Sequence, residues 1–147
     1  MLLNGISAKD LFETINKENY ASTQVHYFVG AKQLIKHINQ IKKEIREGAK
    51  NWNDYVILAD SSTKKEQTTG SEKLYDRIAT IEGIKDLSPQ NICYDTSEIP
   101  FTSMLSYKGL ECNHVILVIN GRTEISTLEL YVGMTRAIMD LQLLVLQ

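Results

Sequence analysis

The sequence is poor in the residues that hold small folds together covalently or through a metal. Its 147 residues include two cysteines, Cys93 and Cys112, without Cys-x-x-Cys spacing, and three scattered histidines. We therefore predict neither a disulfide framework nor a zinc site, and expect both cysteines to be small apolar fillers. There are only two prolines, Pro89 and Pro100, so long regular elements are permitted.

Neither sign of charge dominates, and no long apolar run is present. The net charge is −2 at pH 7, which argues against a protein that coats nucleic acid but permits contact through one loop. No apolar run approaches the roughly 20 residues of a membrane span, and residues 1–10 lack the pattern of a signal peptide. We expect a cytoplasmic protein without membrane contact. The apolar fraction of 43% fits one globular domain over residues 1–147.

The motif by which nucleotide hydrolases hold phosphate is also missing. No Gly-x-x-x-x-Gly-Lys-Ser/Thr string occurs, and the spacing in Gly70-Ser71-Glu72-Lys73 is wrong. Gly-x-Gly-x-x-Gly, His-Glu-x-x-His and Gly-x-Ser-x-Gly are absent as well. The chain is therefore not expected to be an autonomous ATPase.

Hydrophobic periodicity predicts strands alternating with helices. Strands are predicted at 24–29, 54–59, 91–94, 101–105, 114–119 and 141–146, and helices at 7–15, 31–47, 71–81 and 126–138. Several strands are apolar throughout, which is typical of a parallel sheet buried on both faces. We predict an α/β fold with a peripheral helix and loop in 1–23, and expect the functional loops at the carboxyl ends of strands.

Two strings near the C-terminus carry most of the functional information. Ser106-Tyr107-Lys108-Gly109-Leu110-Glu111 precedes one predicted strand, and Leu130-Tyr131-Val132-Gly133-Met134-Thr135-Arg136-Ala137 precedes the last. They resemble motifs V and VI of UvrD/Rep/PcrA-type DNA helicases of superfamily one. The close resemblance covers 101–147, and the earlier part matches only as a pattern of elements. It implies that the chain is the C-terminal RecA-like lobe of such a helicase, a P-loop NTPase-type parallel sheet flanked by helices that lacks the Walker A motif.

This resemblance implies which residues take part in an ATP site. Arg136 would be an arginine finger for ATP whose Mg²⁺ is held mainly by an N-terminal Walker-containing lobe. Glu111 would accept a hydrogen bond from the ATP ribose. The other implied cofactor-binding residues order the loop or helix that carries these two: Lys108, Gly109, Gly133 and Thr135. No metal ligand is implied in this chain.

The resemblance also implies contact with single-stranded DNA. Ser103 and Ser106 lie where motif V contacts the DNA backbone, while Leu105 replaces the family's histidine. Tyr107 has two interpretations, a platform on which a base stacks or a packed anchor of the loop.

The alternative function is a non-enzymatic α/β module for protein interaction that keeps the fold of the lobe. In the helicase interpretation, Arg136 and Glu111 are exposed on one shared face. In the alternative, Arg136 is held in an internal ion pair. A receiver-like enzyme is disfavoured because Asp54 and Asp60 bracket one strand instead of gathering at one end.

Overall fold

The computed structural model describes residues 5–6, 22–48, 50–67, 72–87, 97–107, 110–123 and 125–147. In these residues a six-stranded parallel sheet has the order β2-β8-β6-β3-β5-β4, and β1 pairs antiparallel with β7. The strands are β1 (Gly5–Ile6), β2 (Ser22–Phe28), β3 (Tyr55–Ala59), β4 (Ile84–Asp86), β5 (Ile99–Ser103), β6 (Cys112–Asn120), β7 (Ile125–Ser126) and β8 (Ala137–Leu146). The helices are α1 (Ala31–Glu47), α2 (Leu74–Ala79) and α3 (Thr127–Met134).

Both faces of the sheet are buried, as the apolar strands predict. On one face, α1 contributes Leu34, Ile38, Ile41 and Ile45 to a core that also contains residues of α2. On the other face, Leu130 and Met134 of α3 pack with Val115, Leu117 and other residues of β6 and β8. Because neighbouring side chains of a strand point to opposite faces, β3 supplies both cores and is buried at all five positions.

The predicted alternation of strands and helices is confirmed. The helix at 31–47 has the predicted bounds and ends at Gly48. The strands predicted at 24–29, 54–59 and 114–119 are present as β2, β3 and β6, shifted or extended by one to a few residues. The helix predicted at 7–15 and the strand predicted at 91–94 lie outside the described residues, and the extent of a single domain stays a prediction.

Three boundaries were predicted wrongly, and for the end of α3 the reason is that strand pairing overrides the local pattern. The helix predicted to reach Ile138 ends at Met134, since the residues from Ala137 onward join the ladder with β6 instead. The helix predicted at 71–81 is limited to α2, after a bridge between Gln67 and Lys73. The strand predicted at 101–105 is β5, which ends at Ser103 where a 3-10 helix follows. The three-residue β4 and the two-residue β1 and β7 were not predicted. No helix in the described residues is long and apolar enough to cross a membrane.

Gly121 fixes the chain where β6 leaves the sheet beside the end of β8. Its amide donates to the Leu146 carbonyl oxygen at 2.9 Å. A Cβ atom at this position would lie 2.4 Å from the same oxygen and 2.9 Å from Cγ1 of Val145. Because the first of these obstacles is backbone, the contact cannot be relieved by a side-chain rotation. A glycine is therefore required here by space.

We predict that Gly121→Ala lowers the free energy of unfolding by about 1–3 kcal/mol, the usual cost of overpacking. Gly30→Ala is the matched control, because a Cβ there meets nothing within 4 Å and its φ of −157° is ordinary extended backbone. Chemical denaturation of the three proteins measures the difference. Equal unfolding midpoints for the two variants would contradict the assignment.

Candidate functional site at the amino ends of β6 and β8

Glu111 and Arg136 each lie one residue before a strand, and those two strands are neighbours. Glu111 precedes β6, Arg136 precedes β8, and Cys112 pairs with Ala137 in the ladder. The Cys112 amide donates to the Arg136 carbonyl oxygen at 2.9 Å. The structure therefore brings together the two residues predicted to contact ATP. We call Glu111, Thr135 and Arg136 the amino-end site.

The position of Glu111 and Arg136 in the sheet differs from the one predicted. The functional loops were expected at the carboxyl ends of strands, but Glu111 and Arg136 lie at the amino ends. The reason is the connectivity: all six paired strands are parallel, so the chain must return along a face before each new strand begins. Both motifs occupy the final part of such a return.

The return into β8 is made by α3, whose two ends are capped. The Ser126 side chain accepts a hydrogen bond from the Glu129 amide at 3.4 Å and so caps the start of the helix. At the other end, the Thr135 hydroxyl bonds the Tyr131 carbonyl oxygen at 2.9 Å. Gly133 lies against the sheet, where a Cβ would be 3.1 Å from both Leu117 and Met104. The helix can approach the core this closely because Gly133 has no side chain.

The Arg136 guanidinium is held by its neighbour and has no carboxylate partner in the described part of the chain. Its Nη2 donates to the Thr135 hydroxyl oxygen at 3.0 Å. Its Nε is buried and makes no hydrogen bond within the described residues, whose three ion pairs do not involve Arg136. Glu111 beside it is exposed. The helicase interpretation expected both residues to be exposed; Glu111 is, whereas Arg136 is half-buried.

The loop before Glu111 is only partly described. Lys108 and Gly109 lie outside the described residues, so their roles stay predictions. Tyr107 packs against the core on the α3 face, and its hydroxyl donates to the Glu111 carbonyl oxygen at 3.4 Å. Of the two interpretations of Tyr107, this packing favours the loop anchor, and stacking on a base stays a prediction.

The residues predicted to contact DNA lie at the opposite end of the sheet. Ser103 ends β5, and its hydroxyl is hydrogen-bonded to that of Ser106 at 2.7 Å. Leu105, between them, is 44% exposed. The two serines therefore form a polar turn at the carboxyl end, separated from the amino-end site by the length of β6.

A second pair at the amino ends was not predicted. The His114 imidazole and the Asp140 carboxylate are hydrogen-bonded across β6 and β8. The ring of Tyr55 on β3 stacks on His114 with centroids 4.4 Å apart. The pair links the strands that carry Glu111 and Arg136, close to where both begin. Nothing in the sequence places His114 beside Asp140, because only the register of two distant strands does so.

A buried polar network at the carboxyl ends was also missed. Asp60, which follows β3, accepts hydrogen bonds from Ser62 and from the Asn120 amide. Burial raises the pKa of the Asp60 carboxyl, and the nearby Glu129 carboxylate adds to the rise. Glu129 in turn accepts a hydrogen bond from the Ser61 amide at 3.1 Å. We call these five residues the carboxyl-end network. The sequence does contain a signal for this network, because Asp60 directly follows the apolar strand β3 and Asn120 is the polar last residue of β6.

One cavity of about 310 Å³ lies beyond the carboxyl ends of β2 and β8. Its polar lining includes Glu66 and Arg122, which form an ion pair at 2.9 Å. None of the predicted site residues lines it. Within the described residues, no group of three His, Cys, Asp or Glu side chains could hold a metal ion.

Comparison with known proteins identifies a shared fold. The chain is similar to the crystal structure of the C-terminal domain of a possible DNA helicase from Lactobacillus plantarum WCFS1, with a TM-score of 0.59 and 15% identity. The similarity covers 95% of this chain and 86% of that one. The α/β, RecA-like fold is confirmed. No model of a known protein family matches the sequence, and no curated protein matches it.

The Cys112 thiol next to Glu111 gives a test of the local packing. It is 7% exposed and donates to the Asp54 carbonyl oxygen at 3.0 Å. Burial raises the pKa of Cys112, while the backbone amides near it and the Tyr107 hydroxyl oppose the rise. Because the thiolate is the reactive form, a raised pKa moves its reaction to higher pH.

We predict that Cys112 in a Cys93→Ser variant reacts with iodoacetamide more slowly than free glutathione at pH 8. Its rate should still be rising with pH where that of glutathione levels off. Mass spectrometry of timed samples measures both rates, and denaturant should remove the difference. Equal rates in the folded protein at pH 8 would contradict the raised pKa.

Proposed function

We propose that this chain is the C-terminal lobe of an ATP-dependent DNA helicase of the UvrD/Rep type, which completes an ATP site in trans and has no ATPase activity alone. The carrying observation is the placement of Glu111 and Arg136 side by side at the amino ends of β6 and β8, with no carboxylate paired to Arg136 in the described residues. The fold shared with a domain described as part of a possible DNA helicase adds support.

The residues of the amino-end site fit a nucleotide held by a second lobe. ATP with Mg²⁺, held mainly by an N-terminal Walker-containing lobe, supplies the phosphoryl group that is transferred to water. Arg136 offsets negative charge on that group, as a planar, permanently charged guanidinium is suited to do. Its terminal nitrogens, one of which donates to the Thr135 hydroxyl oxygen, are the groups that would donate to a phosphate oxygen, since Nε is buried. Glu111 is exposed and can accept a hydrogen bond from a ribose hydroxyl.

Single-stranded DNA is the proposed second ligand, at the carboxyl end of β5. Ser103 and Ser106 present two hydroxyls in one turn, and hydroxyls are common donors to the phosphates of nucleic acids. Closure of the two lobes on ATP and their release after hydrolysis would then move the lobe along the strand. Such coupling is a gated conformational cycle. Tyr107 supports the turn from within the core.

We predict that Arg136→Ala lowers DNA-stimulated kcat by about 10³–10⁵-fold, the range of arginine fingers elsewhere. The measurement uses the polypeptide or complex that joins this chain to a Walker-containing lobe. ATP binding should persist, as measured with a fluorescent analogue. Arg136→Lys should rescue little, because lysine cannot reproduce the planar fork. Arg46→Ala, on the exposed face of α1, is the control and should keep full turnover.

Unchanged turnover in Arg136→Ala would overturn the proposal. The same holds if this chain binds no Walker-containing lobe and instead binds other proteins. Those results favour the alternative, a non-enzymatic α/β interaction module.

A second prediction separates the role of Glu111 from that of Arg136. Glu111→Ala should raise KM for ATP about tenfold or more, since a hydrogen bond to a charged group contributes roughly 1.5–3 kcal/mol. It should leave KM for 2′,3′-dideoxy-ATP within about twofold, because that nucleotide has no ribose hydroxyl to donate. Glu44→Ala on α1 is the exposed control. Steady-state kinetics of the same two-lobe protein test this, and an equal effect on both nucleotides would exclude the ribose contact.

A further inference from the structure

Glu129 has an unusual position for a carboxylate. It lies in the first turn of α3 and is only 5% exposed. A fully buried carboxylate is costly unless it is hydrogen-bonded. Its side chain does not return to the Ser126 amide as a capping box would have it. Instead Oε2 accepts from the Ser61 amide, which is 68 residues away in sequence.

That hydrogen bond joins α3 to the segment after β3. Ser61 begins a 3-10 helix, Ser61–Lys64, whose own cap is Asp60. Asp60 is fixed in turn by the Asn120 amide at the end of β6. The start of α3 is therefore tied to the carboxyl ends of β3 and β6, two strands in the middle of the sheet.

A second contact holds α3 near its other end. Gly133 packs against Met104 and Leu117, and a Cβ atom at this position would lie only 3.1 Å from each of these two side chains. Met104 is fully buried, and its amide donates to the Ala59 carbonyl oxygen at 2.9 Å. Glu129 and Gly133 thus attach α3 to the rest of the protein at two points. Glu129 contacts the segment that follows β3, and Gly133 contacts residues that are hydrogen-bonded to or paired with β3. A helix of this length spans about 12 Å, and Arg136 lies just beyond it.

We propose that Glu129 is a positioning residue for Arg136. Its carboxylate fixes where α3 starts relative to the sheet, and the short, capped helix transmits that position to the guanidinium at the amino ends. Glu129 touches neither nucleotide nor DNA. The inference rests on the proposed function for its effect on catalysis, but its structural part concerns this chain alone.

The structural part is tested by amide hydrogen exchange of the chain itself, read by NMR. Glu129→Ala removes the acceptor of the Ser61 amide, whereas Glu129→Gln keeps an amide oxygen of the same reach. We expect the Ser61 amide and those of Thr135 and Arg136 to exchange about tenfold faster or more in Glu129→Ala. Glu129→Gln should largely restore protection. Glu66→Gln is the matched control, because Glu66 bonds Asn120 and Arg122 but not α3.

The catalytic part uses the two-lobe protein. Glu129→Ala should lower kcat about tenfold or more while KM for ATP stays within about twofold, and Glu129→Gln should recover most of kcat. Faster exchange confined to the Ser61 amide would overturn the proposal. Faster exchange spread evenly over the whole sheet would also overturn it, because it would show a general loss of stability. Unchanged kcat in Glu129→Ala would overturn it as well.

Arg136→Ala in the same assays separates this inference from the proposed function. If Arg136→Ala leaves turnover intact, the helicase-lobe proposal fails. If Arg136→Ala abolishes turnover and Glu129→Ala does not lower it, only the positioning role fails.

Discussion

The parallel pairing of β6 with β8 is the constraint on which the candidate site depends. Cys112 lies opposite Ala137 at the start of the ladder, and Asn120 lies opposite Leu146 at its end. Because both strands begin at the same level, the residue before each of them must emerge at the same place. Neither Glu111 nor Arg136 needs a contact with the other to be held there. Buried apolar side chains on both faces keep the two strands in register from His114 and Asp140 onward, and a register shift between Cys112 and His114 sets the pairing next to the site.

The two ends of this sheet carry two different sets of polar residues. The amino ends carry an arginine and a glutamate that no internal partner within the described residues neutralises. The carboxyl ends carry Asp60, Asn120 and Glu129, whose hydrogen bonds are made inside the protein. In low dielectric, satisfied polar groups rigidify a fold, while an unsatisfied one favours a ligand. The contrast fits the proposal that the buried acidic cluster is structural and that the pair at the amino ends binds a ligand.

Local sequence predicted most of the helices and strands and named a candidate site, which stays a proposal, but it did not predict where in the sheet that site lies. The period of α1 and the apolar runs of β3 and β6 are properties of consecutive residues, so they could be predicted. The motif strings pointed to Glu111 and Arg136 on the same basis. Which end of the sheet holds them depends on strand order and direction. The His114–Asp140 pair and the bond from Ser61 to Glu129 depend on register between distant segments, which no periodicity encodes.

Strand order also bears on when the fold can form. Within the described residues, β2 pairs with β8 alone, and β8 follows every other strand of the sheet in sequence. During synthesis, β2 is made before β3 to β6 and must wait for β8, its only neighbour in the sheet within the described residues. Pairings between such distant segments are slow to form. The strands β3 to β6 can pair with one another before β8 is made, so β8 completes the sheet by inserting between β2 and β6.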